Sequence, residues 1–262
     1  MKRLVLGTLI ALAVTQAAGC VVHTGGDDDD DPPNPNNYAH VSATWDIRSI
    51  ATNTSLACPS GYNTAALFNQ AVDANDQPIG NCTYSTDNNN STCFVDLFDC
   101  IDHAGTSYPL PPTRYITWVA ITDNSTTSVW GESVPAYVDI TNVDKTYSTQ
   151  LLEDGGYFYV SWNLVGAVSN NNLSCASAGA GGGVELTATV VGSTEAKADQ
   201  WDCANRSGYT AGLRAATYTV SLQALNTSDQ AISETPELTN KVIRPFNAVT
   251  DLGLVNVPIT GL

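Results

Sequence analysis

From Ala39 onward, apolar and polar residues alternate with a period of two. In TYTVSLQAL, Tyr218, Val220, Leu222 and Ala224 fall on one side, and Thr219, Ser221 and Gln223 on the other. That alternation predicts a strand with one buried face. YVSWNL (159–164) and VELTATVV (184–191) read the same way. Turn-forming runs such as TDNS, GSTE and NTSD punctuate the strands. No longer stretch carries helical spacing with caps. Short strands at regular intervals predict an all-β chain built of antiparallel β-sandwiches.

The strand pattern occurs twice. VSATWDIRSIATNTSLAC ends at Cys58 and FYVSWNLVGAVSNNNLSC ends at Cys175, with Trp45 and Trp162 at the same distance before the cysteine. DLFDC ends at Cys100 and DQWDC at Cys203; Tyr115 and Tyr218 follow these at equal distances. The copies are offset by 117 residues at the first cysteine and by 103 at the second. The first copy therefore holds an insertion, and it surrounds Cys82 and Cys93. Two tandem sandwich domains, 39–150 and 151–262, follow from this repeat. With little linker between them, they are expected to abut.

The repeat also selects a disulfide pattern. The chain has seven cysteines. Setting Cys20 aside leaves six, which allow fifteen pairings. Cysteines present in both copies should pair within each copy, giving Cys58–Cys100 and Cys175–Cys203. Cys82–Cys93 then closes the insertion on itself. No CxxC pair and no ligand spacing among His23, His40 and His103 supports a metal site.

The first residues break the pattern. Lys2 and Arg3 precede an apolar run, Leu4 to Val14, followed by Ala17, Ala18, Gly19 and Cys20. That order is a secretory signal too short to span a bilayer. Its Ala-Ala-Gly-Cys ending resembles the bacterial lipobox. The resemblance implies cleavage after residue 19, diacylglycerol on the Cys20 thiol and an acyl group on the new amino terminus. Residues 20–38 carry Asp27 to Asp31, prolines and asparagines, with no periodicity to bury; they read as a disordered tether. The tether is similar to acidic stretches behind the lipidated cysteine of some surface-exposed lipoproteins. Val21 gives no inner-membrane retention signal of the Asp type, so an outer-membrane destination is expected, on either face.

Charge narrows the partners. The net charge is −16, and −18 once Lys2 and Arg3 are removed. Such a surface repels nucleic acid. The LRAATYTVSLQAL stretch resembles a strand of prealbumin-like and carboxypeptidase-regulatory-like domains, with Ala216 and Arg114 at the position of that motif's glycine. The resemblance implies a sandwich; an Ig-like sandwich accounts for the pattern equally.

The two copies differ at one outward face. Where the second has Thr219, Ser221 and Gln223, the first has Ile116, Trp118 and Ala120, and Trp130 stands opposite Ser233. An apolar outer face needs a cover. Ile116, Trp118 and Trp130 are therefore candidate anchors for a protein or glycan partner, unless the insertion or the second domain covers them. Asp96, Asp99 and Asp102 beside His103, and Asp73, Asn75 and Asp76, read as turn formers, with calcium as the alternative. No GxSxG, HExxH or Walker loop occurs, so no catalytic residue and no cofactor is expected. A membrane-anchored envelope protein that binds a partner is the expectation. A structural spacer is the alternative, and a hydrolase the remote one.

Overall fold

A computed structural model describes residues 38–83, 92–141, 143–233 and 236–262. The Cys20 lipidation site, the signal peptide, the tether with Asp27 to Asp31, and His23 lie outside the described residues. The first sandwich contains β1 (Val41–Ser49), β2 (Thr54–Ser55), β3 (Thr64–Ala71), β4 (Cys93–Asp99), β5 (Ala104–Thr106), β6 (Arg114–Thr122), β7 (Val129–Glu132), β8 (Ala136–Asp139) and β9 (Lys145–Leu152). The second contains β10 (Gly155–Gly166), β11 (Asn172–Leu173), a short helix α1 (Cys175–Ala178), β12 (Gly183–Val190), β13 (Ala196–Trp201), β14 (Ser207–Tyr209), β15 (Leu213–Arg214), β16 (Ala216–Leu225), β17 (Glu237–Ile243) and β18 (Ala248–Ile259).

One topology serves both. In the first sandwich β1 pairs with β2 and β5 along one edge and β9 along the other; the facing sheet runs β4-β3-β6, with β7 and β8 end to end beside β6. In the second, β10 pairs with β11, β14 and β15 on one edge and β18 on the other, facing β13-β12-β16-β17. The sheets are antiparallel with one departure each: β1 with β9, and β10 with β18, run parallel. The last strand returns beside the first in the same direction. Period-two alternation is blind to this, because it fixes faces and not neighbours.

The alternation decides the interior. In β16, Tyr218, Val220, Leu222 and Ala224 are buried against Phe158, Trp162 and Leu164 of β10, and Thr219, Ser221 and Gln223 face outward. In the first sandwich, Trp45, Leu67, Tyr115, Val119 and Ile121 form the matching core. Each large apolar side chain fully buried there contributes about 1.5–3 kcal/mol. Helix α1 has only four residues, too few for any periodicity; Ser174 and Ser177 cap it reciprocally.

Matched residues do matched work. Tyr115 donates its hydroxyl to the Pro111 carbonyl and Tyr218 to that of Arg214, both at 2.9 Å. Phe98 and Trp201, each two residues before the second cysteine, lie over Gly105 and Gly208. A Cβ on either glycine would stand 2.6 Å or less from the ring. Three disulfides are present: Cys58–Cys100, Cys175–Cys203 and Cys82–Cys93.

Candidate functional site

The apolar outer face of the first sandwich is largely covered from within the domain. Phe68 of β3 and Trp118 of β6 are cross-strand partners, with ring centroids 4.7 Å apart and planes within 2°. Ala66, Ala120, Val95, Leu97 and Cys82 pack around them. Trp118 and Ile116 are half-buried, and Ala120 is fully buried. The chain beyond β3 returns across this face as a strap. Ile79 donates its N–H to the Ala71 carbonyl at 2.9 Å. The Gln70 amide donates to the carbonyls of Gly80 at 2.8 Å and Ile79 at 3.4 Å. At the turn, Arg114 pairs with the Asp76 carboxylate, and the Tyr137 hydroxyl donates to the Asp76 carbonyl at 3.1 Å. The Cys82–Cys93 bond fastens the other end.

Trp130 is also half-buried, for a different reason. It packs on the first core and, edge to face at 5.8 Å, on Phe246 of the second sandwich. Its supposed counterpart does something else. The Ser233 hydroxyl accepts the Ala224 N–H, as the Ser133 hydroxyl accepts the Val119 N–H. A register shift between Ile121 and Thr122 interrupts the pairing of β6 with β7 beside Trp130.

The junction that takes up Trp130 is tightly tied. Asp154, between β9 and β10, accepts from the Ile50 N–H at 2.6 Å, the Ser49 hydroxyl at 2.7 Å and the Ala51 N–H at 3.0 Å. Burial raises its pKa, but the bonds from Ser49, Ala51 and Ile50 outweigh that and hold the carboxyl below its usual value. Asn247, just before β18, is 2% exposed. Its side-chain oxygen accepts the Leu152 N–H at 2.7 Å, its amide donates to the Glu132 carbonyl, and its backbone N–H donates to Leu152 and Gly155. Sequence reasoning missed Asp154 and Asn247. Each looks like an ordinary loop residue until the two domains are brought together.

The acidic and histidine candidates do not converge. His103 closes a turn in the left-handed region, and its ring Nδ1 lies 3.2 Å from the Trp45 carbonyl. Asp96 accepts from the Tyr108 N–H at 3.1 Å, and Asp99 and Asp102 are exposed around the turn. Asp73 accepts from the N–H groups of Asn75 and Gln77, which lower its pKa. Asp123 and Asn226 cap the same hairpin in the two copies. Among the described residues, no three His, Cys, Asp or Glu side chains come together as a metal site. None of their helices is long and apolar enough to cross a membrane.

No protein-family model and no curated protein matches the sequence. Among solved structures, the chain is similar to a leucine-rich repeat protein from Bacteroides thetaiotaomicron, at 12% identity and a TM-score of 0.35, over 85% of this chain and 26% of that one. It is similar to the minor pilin of Streptococcus agalactiae at 10% identity and TM-score 0.25, over 86% and 97%. It is similar also to the shaft pilin of Lactobacillus rhamnosus at 10% and 0.24, over 86% and 100%. The chain thus spans about a quarter of the first of these proteins. The fold assignment rests on the strand order itself.

Proposed function

We propose that this chain is a non-catalytic, lipid-anchored envelope protein whose paired sandwiches form a rigid spacer. The tied junction carries this reading. Asp154 and Asn247 fix one sandwich on the other through backbone groups, which a flexible linker would leave to water. Of the side chains best placed by sequence to grip a partner, Trp118 and Trp130 are engaged in internal packing and Ile116 is half-buried. The His103 ring is turned to the Trp45 carbonyl. Cys20 supplies the anchor in this reading. One acyl chain holds weakly and several hold firmly, at about 0.8 kcal/mol per buried methylene.

Metabolic labelling with a clickable palmitate tests the anchor. Label is expected on the parent chain, with none on Cys20→Ser, which should leave the membrane fraction. Spin labels on the two sandwiches test rigidity; a narrow distance distribution is expected, and a broad one would sink the spacer.

A further inference from the structure

The outer face of the β14-β10-β18 sheet carries a row that the first sandwich lacks. Tyr209 of β14 is the cross-strand partner of Tyr159 of β10, and Tyr159 is that of Asp251 of β18. The two tyrosine rings lie 4.7 Å apart, inclined at 43°. Both are half-buried and Asp251 is exposed. In the first sandwich the same positions are Thr106, Ser42 and Thr146. There Ser42 and Thr106 satisfy each other, hydroxyl to hydroxyl, at 3.0 Å. The duplicated fold therefore needs no aromatic rings at this row.

Three further observations point outward. The Tyr159 and Tyr209 hydroxyls bond to no protein group among the described residues. Asp251 spends one carboxylate oxygen on the Gly253 N–H and keeps the other. Tyr157, two residues before Tyr159 on the same face, is buried against the first sandwich, with its hydroxyl toward the Gln150 carbonyl. The row thus lies beside the junction. Burial raises the Tyr209 pKa first, and Tyr159 and Asp251, its neighbours along the row, add to it.

We propose that Tyr159, Tyr209 and Asp251 bind a segment of uncharged or amino-bearing glycan on this sheet face. Aromatic rings offer flat apolar faces to the C–H faces of pyranoses, and their hydroxyls and a carboxylate can bond to sugar hydroxyls. Charge selects among glycans. Asp251 and the net charge of −16 oppose uronate and sulfate chains and favour ammonium-bearing ones. The site adds a ligand to the spacer reading and does not depend on the anchor.

The test is calorimetric titration of the full chain in detergent with trimers of glucosamine, N-acetylglucosamine and glucose, and with trigalacturonate. At least one of the first three should bind, and trigalacturonate should not. Tyr159→Ala and Tyr209→Ala should each weaken binding tenfold or more. The Tyr159→Phe/Tyr209→Phe double variant, which preserves the rings and the fold, should weaken it several-fold. Thr106→Ala at the matching row of the first sandwich should have no effect. No binding by any of the three trimers, or unchanged binding in the Phe and Ala variants, overturns the proposal. Cys20→Ser should bind as the parent does, so failure of the anchor and failure of the site are separately visible.

Discussion

Two tryptophans in matched positions have unequal surroundings. The Trp45 indole N–H donates to the Cys100 carbonyl at 3.0 Å. The Trp162 indole N–H is buried with no partner among the described residues, its ring against Trp201 at 5.6 Å. Replacement by Phe removes a bond from Trp45 and an unmet donor from Trp162. Trp45→Phe should therefore cost more than Trp162→Phe by about 1–3 kcal/mol, read from denaturant unfolding. Asp154 provides a pH dependence. Its pKa is lowered in the fold, so its contribution is complete above the unfolded value of about 4 and is lost as pH falls through the lower folded value. In acid melts, Asp154→Asn should be less stable than the parent at pH 7, and the gap should close below about pH 4.

At the scale of elements, the three disulfides constrain different things. Cys58–Cys100 and Cys175–Cys203 tie the turn after the second strand of each sandwich to the end of the fourth. Cys82–Cys93 ties the strap to the start of β4. Their sequence separations of 42, 28 and 11 residues give loop-entropy contributions of about 4, 3.5 and 3 kcal/mol. The Cys82→Ser/Cys93→Ser variant should lose the smallest amount and keep both sandwiches, since the second sandwich has no counterpart of this bond. It should nevertheless shift Trp118 emission to the red as the strap loosens. Unchanged emission would mean that Gln70 and Asp76 hold the strap unaided. Elements were legible from the sequence wherever alternation ran for five or more residues, as in β1, β10 and β16. The two-residue strands β2, β11 and β15 and the four-residue α1 were not, because so few positions carry no period.

At the scale of the whole molecule, the junction decides whether the pair behaves as one body. Asn247→Ala leaves the Leu152 N–H and the Glu132 carbonyl unmet, at about 1–3 kcal/mol each. Asp154→Ala releases the turn at Ser49 to Ala51. Together they should broaden the inter-domain distance distribution and separate the unfolding of the two sandwiches into two calorimetric transitions.

The matched cysteine spacing and the faces of the alternating strands β10, β12 and β16 were legible in the sequence alone. The reason is that period-two alternation and cysteine spacing are local and survive in one dimension. Tertiary structure alone decided that the first and last strands of each sandwich run parallel, that Trp118 stacks on Phe68, and that Trp130 meets Phe246. It also decided that Asp154 and Asn247 join the domains and that Tyr159, Tyr209 and Asp251 share a row. All of these are contacts between residues far apart in the chain. Their partners are set by how the sheets close and by which backbone groups would otherwise be left without hydrogen bonds.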